Sequence, residues 1–203
     1  MTLAIGFKCP ETILIGTDTH IVTPGVSKIN GSKLFRHEPK NGVNSLIAMA
    51  GSFSYGRMAM QHLQSELTDL DPDRSLKKIR KTIETQILDL HERYIYPHPD
   101  KFFVEVSLLI AVWSPADKSA AIFWTEDSAV VEFPGYACIG SGSTVAHYIV
   151  KPRYKPGIGE SEARSLAIDA LGEAKEFVDG VGGYTELATL NVKDGTVSQT
   201  ERL

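Results

Sequence analysis

The chain has 203 residues, 42% of them hydrophobic and 23% charged, which is enough for one well-buried core and short for two, so residues 1–203 are read as a single domain. A net charge of −4, with no basic run and no alternation of aromatic and basic residues, excludes nucleic acid as the expected partner. No stretch reaches the ~18 apolar residues of a membrane span and the N-terminus lacks a signal-peptide pattern, so a cytoplasmic address is expected, with Cys9 and Cys138 as reduced thiols or a single pair.

Leu3 to Phe7 and Thr12 to Thr17 are short aliphatic and β-branched runs separated by Lys8-Cys9-Pro10-Glu11, the pattern of a hairpin whose first strand begins at the chain terminus. Lys33 to His37 and Ser45 to Ala50 form a second strand pair around the Glu38–Gly42 turn. Helical spacing follows over Tyr55 to Leu67. After Asp71-Pro72-Asp73 it returns in Leu76, Ile79, Ile83, Ile87 and Leu90, a long amphipathic helix that ends before Pro97.

The second half repeats the order. Strands are expected over Phe103 to Trp113, Ala120 to Trp124, Ala129 to Phe133 and Tyr136 to Ile139, then helices over Ser143 to Val150 and Ser161 to Val178. Glu186 to Val192 closes with a strand, the Lys193-Asp194-Gly195 turn and a short return strand. Strands joined by hairpins and helices grouped in blocks indicate an α+β fold of antiparallel sheets covered by helix layers.

Thr2 is the candidate nucleophile. Removing Met1 exposes its α-amine, and an N-terminal threonine then carries both a hydroxyl nucleophile and, with a reference pKa of about 7.7–8.0, a base to activate it near neutral pH. The predicted strand fixes a chain end that otherwise frays. The plain alternative is a strand threonine that only hydrogen-bonds.

Gly140-Ser141-Gly142-Ser143-Thr144-Val145-Ala146 satisfies the G-x-G-x-x-A pattern of a dinucleotide site. A second helix, not a parallel strand, follows its helix, and the ending of a phosphate-binding loop is absent, so context argues against nucleotide binding. The histidines at 20, 37, 62, 91, 98 and 147 show no i, i+4 pair and no neighbouring cysteine pair, so neither a metal nor another cofactor is expected.

The first eighteen residues resemble the start of a proteasome β-type subunit, especially the bacterial HslV-type protease, with Asp18 at the family's strand-end aspartate. Ser27-Lys28-Ile29-Asn30-Gly31-Ser32-Lys33-Leu34-Phe35 resembles the segment of its active-site lysine, and Ile47-Ala48-Met49-Ala50-Gly51 the strand ending in its oxyanion glycine. Ile139-Gly140-Ser141-Gly142-Ser143 resembles its Gly-Ser-Gly turn and Asp179-Gly180-Val181-Gly182-Gly183 its last active-site loop, one residue shorter here and without the usual serine.

This resemblance implies a four-layer αββα sandwich and a threonine peptidase that cleaves peptides or unfolded polypeptide. Thr2 would be the nucleophile, Asp18 would hold Lys33 beside it, Gly51 would bind the oxyanion, and Ser141 and Asp179 would hold the Thr2 amine. Lys28 competes with Lys33 for the lysine role. His20, just after Asp18, and Met49 and Phe53 around Gly51 are expected to line the substrate cleft. The resemblance further implies a homo-oligomeric ring, with an ATP-driven unfoldase as a further partner. The shortened loop after Asp179 supports an alternative, a non-catalytic ring subunit that contributes assembly surface.

Overall fold

Alternation along Ile13, Leu14 and Ile15 explains the layering, because successive strand side chains point to opposite faces and all three are fully buried. Ile13 and Ile15 join Leu46, Ala48, Leu109, Ala111 and Ile122 in one core cluster, whereas Leu14 joins Leu166, Ala170 and Leu171 in another. A strand buried on both faces needs a sheet on one side and helices on the other. This computed structural model describes residues 2–22, 29–99 and 104–203.

The elements in chain order are β1 (Ala4–Lys8), β2 (Thr12–Asp18), β3 (His20–Ile21), β4 (Ile29–Asn30), β5 (Leu34–His37) and β6 (Ser45–Gly51), then helices α1 (Phe53–Thr68) and α2 (Leu76–Leu90). A π-helical turn, His91–Ile95, extends α2. Strands β7 (Val106–Ser114), β8 (Ser119–Glu126), β9 (Ala129–Glu132) and β10 (Tyr136–Ile139) come next, then α3 (Ser143–Val150), α4 (Glu160–Phe177), β11 (Thr185–Asn191) and β12 (Glu201–Arg202).

Among the described residues, one antiparallel sheet has the order β10-β1-β2-β11-β12 and a second the order β5-β6-β7-β8-β9. The inner cluster fills the space between them. Ile79, Ile83, Ile87 and Leu63 of α1 and α2 pack on Ile47, Leu108 and Ile110 of the second sheet, and α3 and α4 cover the first. The result is the expected four-layer αββα sandwich.

One expectation at the C-terminal end is corrected. The return strand after Gly195 is reduced to one bridge, Leu190 with Val197, and the strand that pairs with β11 lies further on, at Glu201–Arg202. The β3–β4 ribbon, which was not expected, pairs His20 with Asn30 and Ile21 with Ile29.

Antiparallel pairing gathers the chemistry at one end of the sandwich. Ala4 lies opposite Thr17 and Ile139, and Thr185 lies opposite Asp18, so β1 and β11 begin where β2 and β10 end. In the second sheet Leu34 opposes Ala48 and Gly51 opposes Val106, so β5 begins where β6 ends. Thr2, Asp18, Lys33, Gly51 and the Gly140–Gly142 turn all lie at these strand ends.

Candidate active site

Asp18 is the fixed point of the cluster. Its carboxylate is fully buried and accepts backbone N–H bonds from Leu3 at 3.0 Å, His20 at 3.1 Å and Gly182 at 3.1 Å. These donors come from three separate segments, so the carboxylate ties β1, the β2–β3 corner and the loop before β11 together. Backbone donors of this kind satisfy a buried carboxylate.

Lys33 supplies its counter-charge. The Nζ lies 2.9 and 3.0 Å from the two oxygens of Asp18 and donates to Thr2 Oγ1 at 2.7 Å. Thr2 and Lys33 are each 2% exposed. Burial pushes the Lys33 ammonium below the ordinary lysine range, opposed by the charge of Asp18 and its hydrogen bond. The competing Lys28 lies outside the described residues.

The Gly140–Gly142 turn holds the other side of Thr2. The Thr2 N–H donates to Ser141 Oγ at 3.2 Å, and Gly142 N–H donates to the Thr2 carbonyl at 3.1 Å. Gly140 has φ +90°, and a Cβ there would sit 2.4 Å from the Thr2 carbonyl oxygen, so glycine is required by both conformation and contact.

Gly51 ends β6 with φ +91° and lines a small cleft with Thr2, His20, Lys33, Met49 and Phe53. Met49 N–H donates to the Lys33 carbonyl, and Ser52 N–H donates to Glu105 on the opposite side. Strand alternation therefore turns the Gly51 N–H to the same edge as that of Met49, beside Lys33 and the cleft. Of the residues expected to bind substrate, Met49 is buried while His20 and Phe53 are partly exposed.

The structure thus brings Thr2, Asp18, Lys33, Gly51 and Ser141 together, with His20, Met49 and Phe53 around them. Asp179 differs. It is exposed, and its loop reaches the cluster through the backbone of Gly182, which donates to Asp18 and accepts from Thr19 N–H at 3.2 Å. No role was expected for Gly182 and Asn30, which lie within the resembling segments 179–183 and 27–35, and Thr19 was not singled out at all. Thr19 Oγ1 accepts from Tyr184 N–H at 2.8 Å and lies 3.4 Å from Asn30 Oδ1. The contacts of Gly182 with Asp18 and of Tyr184 with Thr19 join segments 164 and 165 residues apart and leave no local signal.

Among the described residues no group of His, Cys, Asp and Glu is arranged to hold a metal ion, and no helix is long and apolar enough to cross a membrane. The family model described as proteasome subunit matches residues 2–190. The chain belongs to the proteasome subunit family. It is similar to a proteasome subunit beta from Methanosphaera stadtmanae, at 27% identity over 96% of this chain and 88% of that protein. A proteasome subunit alpha from Methanobrevibacter smithii is 25% identical over 86% of this chain and 67% of its own length, so both subunit types are among the relatives of this proteasome-family chain.

Solved structures agree on the fold. The Anbu (Gly-1) mutant from Hyphomicrobium sp. strain MC1 has a TM-score of 0.82 at 13% identity, covering 100% of this chain and 87% of that one. The chain in the helical assembly of the Anbu complex from Pseudomonas aeruginosa has a TM-score of 0.83 at 12% identity, covering 99% and 86%.

Proposed function

We propose that this proteasome-family chain is a threonine peptidase that hydrolyses peptide bonds through Thr2 after removal of Met1. The observation that carries the reading is the buried Lys33 ammonium, 2.7 Å from Thr2 Oγ1 and held by both oxygens of Asp18. A cation there favours the alkoxide-like charge that develops on the hydroxyl oxygen during attack.

In this mechanism the free α-amine of Thr2, beside Ser141 Oγ, accepts the hydroxyl proton directly or through water. Thr2 Oγ1 bonds to the substrate carbonyl carbon, and the oxyanion takes the Gly51 N–H. The C–N bond then breaks, the amine proton passes to the leaving nitrogen, and an ester remains on Thr2. Water, deprotonated by the same amine, hydrolyses that ester and restores the hydroxyl. Asp18 keeps Lys33 in place, and Ser141 orients the amine. Asp179 has no step in this scheme.

Residues 1–203 act here as one domain, and the functional unit is a homo-oligomeric ring that admits peptides or unfolded polypeptide delivered by an ATP-driven unfoldase. Intact-mass spectrometry before and after a peptide epoxyketone tests the central claim, because its adduct requires both the free amine and the hydroxyl of one threonine. Loss of Met1 and gain of one inhibitor equivalent are expected, with the adduct abolished in Thr2→Ala and at least a hundredfold slower in Lys33→Ala.

A second reading, a non-catalytic ring subunit, rests on the exposed position of Asp179 and on the similarity to alpha subunits. Retained Met1 with no adduct on the folded protein selects it over the peptidase.

A further inference from the structure

Glu186 is a buried carboxylate that the scheme above does not use. It is 2% exposed, on β11 opposite Thr17 of β2 and Arg202 of β12. Its neighbours Ala188 and Leu190 belong to the core between the sheets and Leu187 to the core under α4, so alternation points Glu186 toward the second sheet. There Ser32, the residue before Lys33, lies with its Oγ 2.6 Å from Glu186 Oε2. Ser32 Oγ also accepts from Leu34 N–H at 3.3 Å and lies 2.8 Å from the Leu34 carbonyl, so its one hydroxyl hydrogen is shared between that carbonyl and the shorter contact with Glu186, which ties the Ser32–Leu34 segment to β11.

The other oxygen of Glu186 is taken by Arg202. The guanidinium Nε and an Nη lie 3.1 and 2.5 Å from Oε1, and the same guanidinium stands 5.3 Å from the centre of the Tyr184 ring. Arg202 belongs to the last strand, whose neighbour Leu203 exchanges both backbone hydrogen bonds with Thr185. A buried carboxylate is retained only when paired, and a two-nitrogen contact with arginine fixes its orientation as well as its charge. A single line of contacts therefore runs from the C-terminal strand through Glu186 and Ser32 to the backbone that carries Lys33.

We infer that Glu186, oriented by Arg202 of the C-terminal strand, is a positioning residue for Lys33 and acts through Ser32. This inference rests on the peptidase reading for its catalytic consequence. Without the pair, Ser32 loses its oriented carboxylate partner, and the segment that ends in Lys33 is left with the bonds from Gly31 N–H to the Thr19 carbonyl, from Met49 N–H to the Lys33 carbonyl and from the ammonium to Asp18. The ammonium then leaves its buried place beside Thr2 Oγ1 and gains water. Its proton affinity returns toward the ordinary lysine range, since burial is what lowers it.

The test compares the parent protein with Arg202→Ala, Ser32→Ala, the double variant and Arg202→Lys, each checked as folded by circular dichroism at 25 °C. Two readouts are taken against pH: the rate of epoxyketone adduct formation, separated into affinity and inactivation rate, and the titration of the Lys33 ammonium by nuclear magnetic resonance on labelled lysine. Arg202→Ala is expected to slow inactivation at least tenfold with affinity changed less than threefold, and to move the Lys33 titration to higher pH. The double variant should lose no more than the worse single one, as residues acting through one contact do. Arg202→Lys, which restores charge without the fork, should fall between.

A general loss of stability would lower the folded fraction without moving the titration. Inactivation within twofold of the parent together with an unmoved Lys33 titration overturns the inference, and so do single losses that multiply in the double variant. If the parent forms no adduct, the peptidase reading fails instead. The Lys33 titration then decides the positioning role alone, an unchanged value in Arg202→Ala ending it.

Discussion

Lys33 places a limit on the pH range of the site. Its folded value lies below the ordinary lysine range because burial outweighs the opposing charge of Asp18. Between that lowered value and the ordinary one, the unfolded chain binds more protons than the folded chain, so this residue makes stability rise with pH across that window. Activity runs the other way, because rising pH removes the cation beside Thr2. The rate of adduct formation should climb as the Thr2 amine loses its proton, around pH 7.7–8.0 for an ordinary α-amine, and fall again before the usual lysine range. Asp18→Asn removes the charge that supports the ammonium, so the alkaline limb should move to lower pH and the peak rate should drop at least tenfold. A profile unmoved by the substitution contradicts the ion pair as the source of the limb. The thiols should be silent throughout, since burial raises Cys9 to about 11 and Cys138 to about 12. A thiol-disulfide reagent at pH 8 should leave both unmodified in the folded protein and titrate two thiols once it is unfolded. Thr2 stood out in the chain as a threonine exposed by removal of one methionine at the start of a patterned strand, whereas Asp18, Lys33, Gly51 and Ser141 were reached through the family resemblance of the segments that carry them. The exposed position of Asp179 was not legible, because the turn from Asp179 to Gly183 brings a backbone N–H, not a side chain, to Asp18. A backbone donor has no residue signature.

At the scale of elements, the strand ends carry the precision. The turn after β10 approaches Thr2 so closely that a methyl at Gly140 meets the Thr2 carbonyl oxygen, and its positive φ adds strain for any other residue. Gly140→Ala should cost about 1–3 kcal/mol for the backbone conformation alone, which for a chain of this size lowers Tm by roughly 2–4 °C per kcal/mol. Adduct formation should fall further than stability does, because relief of the clash moves the nucleophile. Leu109→Ala, in the inter-sheet core and away from the cleft, should cost about 2–5 kcal/mol while keeping the pH profile of any remaining activity. The two variants together separate a positional effect from a general one by melting temperature and adduct rate. Most long elements were legible from local pattern, since β6 and β7 are short continuous apolar runs and α2 and α4 carry apolar residues at helical spacing. The two-residue strands β3, β4 and β12 were not. Their pairing depends on partners such as Thr19 with Gly31 and Thr185 with Leu203, and two residues cannot display a period. The π-helical turn at His91–Ile95 is equally invisible, because it prolongs an amphipathic helix without changing its composition.

Across the whole molecule, the inner core binds the two sheets and each outer core binds a helix layer, so no layer buries its apolar face alone. Ala4, Ala48, Ala50 and Ala111 line the inner face beside Ile13, Ile15 and Ile122, which lets two sheets approach while larger side chains fill the space between. Loss of one outer layer would expose a sheet face of isoleucine, leucine and phenylalanine, so the four layers should unfold together. Far-ultraviolet dichroism and the fluorescence of Trp113 and Trp124, both on the second sheet, should report one coincident transition. Assembly adds a signature that a lone chain cannot produce. If folded chains associate into the proposed ring and unfolded chains do not, association stabilises the native state by mass action and Tm must rise with protein concentration. Melting the parent protein over a hundredfold concentration range, alongside light scattering after size-exclusion chromatography, should give a rising Tm and a mass many times that of one chain. A concentration-independent Tm with the mass of a single chain would leave the Thr2 cluster intact and remove the ring, because the hydrogen bonds described around Thr2, Asp18, Lys33 and Ser141 all lie within one chain.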